Sequence, residues 1–208
     1  MVIHHVPKVV RWMYPDLIWH KSREEKQVYI TFDDGPVPGV TDFVLEELGK
    51  RGMKATFFMV GDNVAKFPEL AREVFHQGHQ IGNHTFNHIK GTKVNLRDYW
   101  DNVGKCQEII EQELGMKPYL FRPPYGRMRK SQRKQTKEFF DIIMWDVLSG
   151  DYDPSQPAEI CLQKTLNYVR NGSIIVFHDQ LKTKNIIRKV LPEFLDYLGS
   201  QGYRTGKL

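Results

Sequence analysis

Two adjacent carboxylates, Asp33 and Asp34, end an apolar run, and two histidines, His84 and His88, stand four residues apart further along. The run Val28-Tyr29-Ile30-Thr31-Phe32 reads as a buried strand, and Gly35-Pro36 stops it. The carboxylates therefore stand at the C-terminal mouth of a strand, where α/β folds place ligands and chemistry. Like charges resist sharing one site, but a metal can hold one carboxylate while the other stays free as a base. Taken alone, the same residues serve equally well as a turn, because Asp-Gly and Gly-Pro are ordinary turn dipeptides. The segment His84-Thr85-Phe86-Asn87-His88 follows Ile81, a second strand end. On a helical turn this spacing sets both imidazoles on one face. Asp34, His84 and His88 would then offer one carboxylate and two imidazoles, with positions left open for water and substrate. Zinc suits this set, with cobalt, nickel or iron as alternatives. A histidine pair at this spacing is a modest signal, since many are structural. His76 and His79 flank Gly78 at a helix-to-strand turn and read as structural, and His4, His5 and His20 carry no partner pattern.

The elements that must position these residues alternate. Strands fit 28–32, 55–60, 80–83, 119–122, 141–146 and 173–178, with a short last one near Tyr203. Helices fit 41–51, 68–76, 96–114, 131–140, 157–170 and 185–199. Glycines 52, 78, 115, 172 and 202 follow the helices, where a left-handed residue is favoured. Alternation with short connections predicts an α/β fold with a parallel, barrel-like sheet. With 208 residues and no repeat or linker, the chain reads as a single domain, 27–208, preceded by an extension, 1–26, that packs on the barrel.

Composition narrows the classes. A net charge of +5 favours an anionic polymer or cell-wall surface only mildly, and a solvated basic face explains it as well. The densest basic run, Arg127 to Lys134, resembles no nucleic-acid signature, so a nucleic-acid partner is not expected. Two cysteines make neither a disulfide framework nor a zinc site, and Cys106 reads as a core residue. Stable membrane insertion is not expected, since no apolar run is long enough. The first twenty residues lack the features of a signal peptide, which points to the cytoplasm, whereas a cell-wall substrate implies export. Protein partners are not legible.

With these motifs in view, the chain resembles the polysaccharide deacetylases, the NodB homology domain of carbohydrate esterase family 4. Thr31-Phe32-Asp33-Asp34-Gly35 resembles the family's first motif and His84-Thr85-Phe86-Asn87-His88 its second. Three more follow in order: Phe121-Arg122-Pro123-Pro124-Tyr125-Gly126, then Trp145 to Tyr152, then Ile174 to Asp179. The likeness runs from about Val28 to the C-terminus. It departs at Tyr152, where the family usually has tryptophan, and at Val176, where leucine is usual.

The resemblance implies a distorted (β/α)7 barrel with the site at the strand C-termini. It implies a divalent metal, zinc first, on Asp34, His84 and His88. It implies Asp33 as general base, Arg122 as the residue that orients it, and the Tyr125 backbone N–H as an oxyanion donor. His178, which alone reads as a core histidine, becomes the acid that protonates the leaving amine, held by Asp151. The implied activity is removal of N-acetyl groups from amino sugars of a peptidoglycan- or chitin-like glycan, releasing acetate. Alternatives are an inactive carbohydrate-binding barrel and an esterase or non-sugar amidase on the same metal site. A glycosidase fits poorly, because its two acids flank the scissile bond about 5 Å or more apart.

Overall fold

The computed structural model describes residues 3–208. Helix α1 (Lys8–Met13) comes first, then β1 (Gln27–Asp33), α2 (Thr41–Lys50), β2 (Thr56–Met59), α3 (Gly61–Lys66), α4 (Pro68–His76) and β3 (Gln80–Asn83). There follow α5 (Leu96–Leu114), β4 (Leu120–Phe121), α6 (Lys130–Thr136), β5 (Asp141–Ile142) and β6 (Val147–Leu148). The chain ends with α7 (Ala158–Tyr168), β7 (Ile174–His178), α8 (Lys184–Ser200) and β8 (Arg204–Thr205).

The strands pair in parallel in the order β5-β4-β3-β2-β1-β7-β6, with β8 beside the start of β1. The inner strands are near-continuous apolar runs because helices cover their outer faces. Phe32 of β1 stacks between Phe57 of β2 and Phe177 of β7, with ring centroids 5.0 and 6.1 Å away, and Phe177 meets Phe194 of α8 at 5.2 Å. Helix α8 buries Ile187, Val190, Leu191, Phe194, Leu195 and Leu198, the i, i+3, i+4 stripe of a helix lying on a sheet. Each such side chain contributes about 1.5–3 kcal/mol by leaving water. Helix α5 starts where the Asn95 side chain accepts the Asp98 N–H at 2.9 Å and stops at Gly115, whose φ is 65°. Cys106 is buried in the main core, as expected.

The expected distorted barrel is what the chain forms, with its distortion at one seam. Strands β5 and β6 end the sheet order, are consecutive in sequence, and do not pair with each other among the described residues. The single strand expected over 141–146 is cut there. The N-terminal segment supplies the missing partners. Ile18 N–H donates to the Ile142 carbonyl at 3.0 Å, Met144 N–H to that of Ile18 at 2.7 Å, and Val6 N–H to that of Asp146 at 3.2 Å. Backbone groups at an open barrel edge need such partners when buried. Met1 and Val2, part of the expected extension, lie outside the described residues. Asp146, fully buried, anchors the seam: Oδ2 accepts from Arg23 Nη2 at 2.6 Å and Oδ1 from Ile174 N–H at 2.9 Å.

Three short helices differ from the sequence reading, the first being α1, in the N-terminal segment where no helix was expected. Helix α3 was not expected, because its six residues bury only Gly61 and Val64 and leave no periodic stripe. Helix α6 ends at Thr136 rather than 140. No helix among the described residues is long and apolar enough to cross a membrane.

Candidate active site

Asp33 is the last residue of β1, and its register partner on β7 is His178. That pairing sets the two groups side by side at the same end of the sheet. Arg122, just past β4, is fully buried and reaches across to them. Its Nη1 donates to Asp33 Oδ1 at 2.6 Å and to Thr31 Oγ1 at 2.7 Å. Its Nε and Nη2 donate to the Ile143 and Met144 carbonyls at 3.2 and 3.0 Å. The guanidinium lies 4.1 Å from the Phe58 ring centroid. A buried charge needs such full pairing, and only the planar fork of arginine meets all these acceptors at once.

Asp34 turns out of the strand at φ 81°. Its Oδ2 accepts from Gln180 Nε2 at 2.5 Å. Its Oδ1 is buried without a hydrogen-bond partner, 3.1 Å from His88 Nε2 and 3.4 Å from His84 Nε2. His84 Nδ1 lies 2.7 Å from the Arg122 carbonyl, which can only accept, so Nδ1 carries the proton. In the neutral ring Nε2 is then a lone pair aimed at a carboxylate oxygen. Two acceptors facing each other in a buried site call for a cation between them. One ligand atom from each of Asp34, His84 and His88 lies within 4.8 Å of the others. The three residues therefore fit a divalent ion. Burial pushes the Asp34 carboxyl up, but imidazoles that donate to it hold it well below the usual carboxylate range, the part that a cation plays beside neutral rings.

The route to this cluster is not the expected one. His84 to His88 is not a helical turn, because Thr85 and His88 have φ of 65° and 57°. Instead the Thr85 N–H donates to Asn83 Oδ1 at 2.9 Å, and Thr85 Oγ1 accepts the Ile89 N–H at 3.1 Å. The loop so formed brings the rings to 5.1 Å. Among the described residues the non-glycine residues with positive φ are Asp34, Thr85, His88 and Tyr125. All four are at this cleft or in its ligand loop. Such backbone costs of order 1–3 kcal/mol per residue and concentrates at functional sites.

His178 Nδ1 pairs with Asp151 Oδ1 at 2.8 Å, and its backbone N–H donates to Asp151 Oδ2 at 2.8 Å. Asp151 is buried and also accepts the Ser149 hydroxyl at 2.9 Å. Burial works against the imidazolium of His178, but Asp151 outweighs it, helped by Asp34 and Asp33, and the pKa rises to about 9. The Tyr152 ring lies 5.2 Å from that of His178, edge on.

These groups share one cleft of about 410 Å³, lined also by Tyr125, Trp145, Leu148, Lys90, Arg127 and Lys182. All eight residues expected at the site are thus close together, six of them lining the cleft and Arg122 and Asp151 standing behind Asp33 and His178. Of the basic run, Arg127 reaches the cleft, while Arg133 turns away to Tyr14 and Asp16. Sequence reasoning missed Gln180. Its only signal is its place two residues after His178, and glutamine there has no distinctive chemistry.

Asp179, next after His178, is fully buried and ties the two strand ends together. Its Oδ1 accepts the Gly35 N–H at 3.0 Å and its Oδ2 the Thr41 hydroxyl at 2.6 Å. Burial pushes its carboxyl up to about 7. A Cβ on Gly35 would lie 2.0 Å from Asp179 Oδ2. Gly35→Ala is therefore expected to cost about 1–3 kcal/mol, the usual penalty for overpacking, and a melting curve checks it. An unchanged midpoint would mean that the Asp179 contact gives way freely.

Comparison with known proteins places the cleft in context. Residues 20–139 match the polysaccharide deacetylase family model. A peptidoglycan-N-acetylglucosamine deacetylase of Bacillus cereus is 37% identical over 153 residues, covering 73% of this chain and 55% of that protein. The chain thus spans little more than half the length of that relative. The crystal structure of the Bc1960 peptidoglycan N-acetylglucosamine deacetylase has a TM-score of 0.85 at 30% identity, covering 98% of this chain and 95% of the other. BA3943 of Bacillus anthracis, described as a pseudoenzyme of carbohydrate esterase family 4, has a TM-score of 0.82 at 26% identity, covering 92% and 66%.

Proposed function

This chain belongs to the polysaccharide deacetylase family, and from that premise we propose that it is a metal-dependent N-deacetylase of acetylated amino sugars, with peptidoglycan as the first substrate class. The observation that carries the reading is the unpartnered Asp34 Oδ1 facing His84 and His88, flanked by Asp33 on one side and the His178–Asp151 pair on the other. Asp34, His84 and His88 would hold the ion, zinc by ligand type, with cobalt, nickel or iron as alternatives. When bound, it supplies Lewis acidity toward an amide carbonyl and a neighbouring water.

The rest of the work falls to the chain. Asp33 takes the proton of the attacking water on its free Oδ2, while Arg122 holds Oδ1 and fixes the direction of the carboxylate. Gln180 pins Asp34 Oδ2, so that Oδ1 is the atom presented to the ion. The Tyr125 backbone N–H, at the strained turn after Pro124, stabilises the oxyanion. His178 gives a proton from Nε2 to the departing amine, and Asp151 fixes the ring by accepting from Nδ1. Residues 27–208 form the catalytic unit, and the N-terminal segment closes the barrel seam. A peptidoglycan substrate places this activity at the cell wall.

Metal analysis and acetate release test the reading together. One divalent ion per chain is expected in the parent, with acetate released from acetylated glycan and lost on chelation. His84→Ala and His88→Ala are each expected to weaken metal binding at least about tenfold, since each removes one of three ligands. Parent-like metal affinity in both variants would sink the assignment. The fold is shared with a pseudoenzyme, so the inactive-barrel alternative is a real competitor. Full metal loading without acetate release would favour it, and release from acetate esters alone would favour an esterase.

A further inference from the structure

We propose that the mouth of this cleft is a subsite for a carboxylate carried by the glycan, formed by Lys90, Arg127 and Lys182 beside the rings of Tyr125 and Tyr152. The inference rests on the amide-hydrolase reading and narrows its substrate class to glycans that carry carboxylates at intervals, rather than neutral chitin-like chains.

The charge pattern of the cleft carries it. The acids that line it, Asp33 and Asp34, are at its floor and are engaged by Arg122, Gln180 and the histidines. Its walls carry three cations and no acid. Among the described residues none of the three makes an ion pair, so their charge at the cleft mouth is not neutralised by a neighbouring carboxylate. Asp62 faces the adjoining hollow with Lys182, but Lys66 holds it. Unpaired cations around a concave, low-dielectric site add their fields and draw in anions.

Their placement beside aromatics matters as much as their sign. Lys90 Nζ lies 5.4 Å from the Tyr125 ring centroid, and Lys182 Nζ lies 6.0 Å from that of Tyr152. Each tyrosine thus sets an aromatic ring and an ammonium together at the cleft mouth, the ring for the apolar side of a sugar and the ammonium for an acidic substituent. A neutral sugar would use the face and leave the cation idle. A sugar with a carboxylate would use both. The tyrosine at 152, where the resemblance leads one to expect tryptophan, is thus part of a paired aromatic–cation wall.

The experiment compares three N-acetylated probes of equal length on metal-loaded protein. These are a neutral chitooligosaccharide, peptide-free peptidoglycan strands whose alternate sugars bear a carboxylate ether, and strands that keep their stem peptides. The parent is expected to favour acidic strands in kcat/KM, and raised salt to reduce the preference. The acidic-to-neutral ratio is expected to fall about two- to fivefold for each cation removed in Lys90→Gln, Arg127→Gln and Lys182→Gln. Equal rates on both acidic strands put the recognised carboxylate on the sugar, and a preference confined to the peptide-bearing strand puts it on the peptide. An unchanged ratio in the folded triple variant would overturn the proposal. Acetate release from none of the probes would instead count against the hydrolase reading. The subsite would then be judged by calorimetric binding of the peptide-free strand to Asp33→Asn protein, where equal affinity with and without the three cations would overturn it.

Discussion

Asp33→Asn is expected to lower acetate release by about 10²–10⁴-fold while the protein still binds its divalent ion. Asparagine has the shape of aspartate and keeps an oxygen for Arg122 Nη1, which lies 2.6 Å from Asp33 Oδ1, so the site geometry is kept, while losing the charge opposite the buried guanidinium is expected to lower the melting temperature. What the amide cannot do is accept a proton. Asp33 Oδ2 is 4.0 Å from His84 Nε2, further than either nearest contact of Asp34 Oδ1, so the geometry divides the two neighbouring carboxylates. Asp34 faces the imidazoles and Asp33 faces the substrate space. Metal content and turnover, measured on the same preparation, check this division. A variant that loses its ion together with its activity would make Asp33 a ligand and undo the assignment of a base. Arg122→Lys probes the same point from behind, since an ammonium cannot satisfy Asp33, Thr31 and two carbonyls together.

The polar ends of the strands were more legible in the sequence than the paths between them. Asp33, Asp34, Arg122, Asp151 and His178 follow apolar runs or turn residues, and a strand end points its residues at one common face whatever the details of the loops. His84 and His88 do come together, with ring centroids 5.1 Å apart, but not through the helical turn that was to unite them. Left-handed backbone at Thr85 and His88 does that work, and a threonine and a histidine give no local warning of it, since the conformation is imposed by Asn83 and Ile89. The seam was invisible for a similar reason. Residues 141–146 read as one strand, and only the N-terminal segment, by bonding to Ile142, Met144 and Asp146, shows that the strand is broken. Gln180 and the cations of the cleft mouth were hidden because single polar residues on loops carry no period. Their importance comes from tertiary neighbours alone.

His178→Ala is expected to slow hydrolysis of an unactivated acetamide by about 10²-fold or more, and that of an activated acetate ester by less than about tenfold. An amine is expelled only when it gains a proton, whereas an activated alcohol leaves without one. His178 is the group able to supply that proton near neutrality, because its Nδ1 is engaged by Asp151 and Nε2 is left for the substrate. Its pKa, lifted to about 9 against the effect of burial, keeps it charged through the neutral range. Activity should therefore persist while His178 is protonated and fall as pH rises through its pKa. A cation beside Asp34 opposes the imidazolium, so in the loaded protein this alkaline limb lies below about 9. Asp151→Asn removes the chief attraction to the charged ring and should move the limb to lower pH, by stabilising the neutral form relative to the charged one. Rate–pH profiles on both substrates separate an acid from a scaffold. A limb that stays in place in Asp151→Asn, or equal losses on amide and activated ester in His178→Ala, would show that the imidazole positions the substrate or supports the strand end and gives no proton. The register pairing of Asp33 with His178 across β1 and β7 makes a shifted limb and unequal losses the expected results, because it sets a proton acceptor and a proton donor side by side at one end of the sheet.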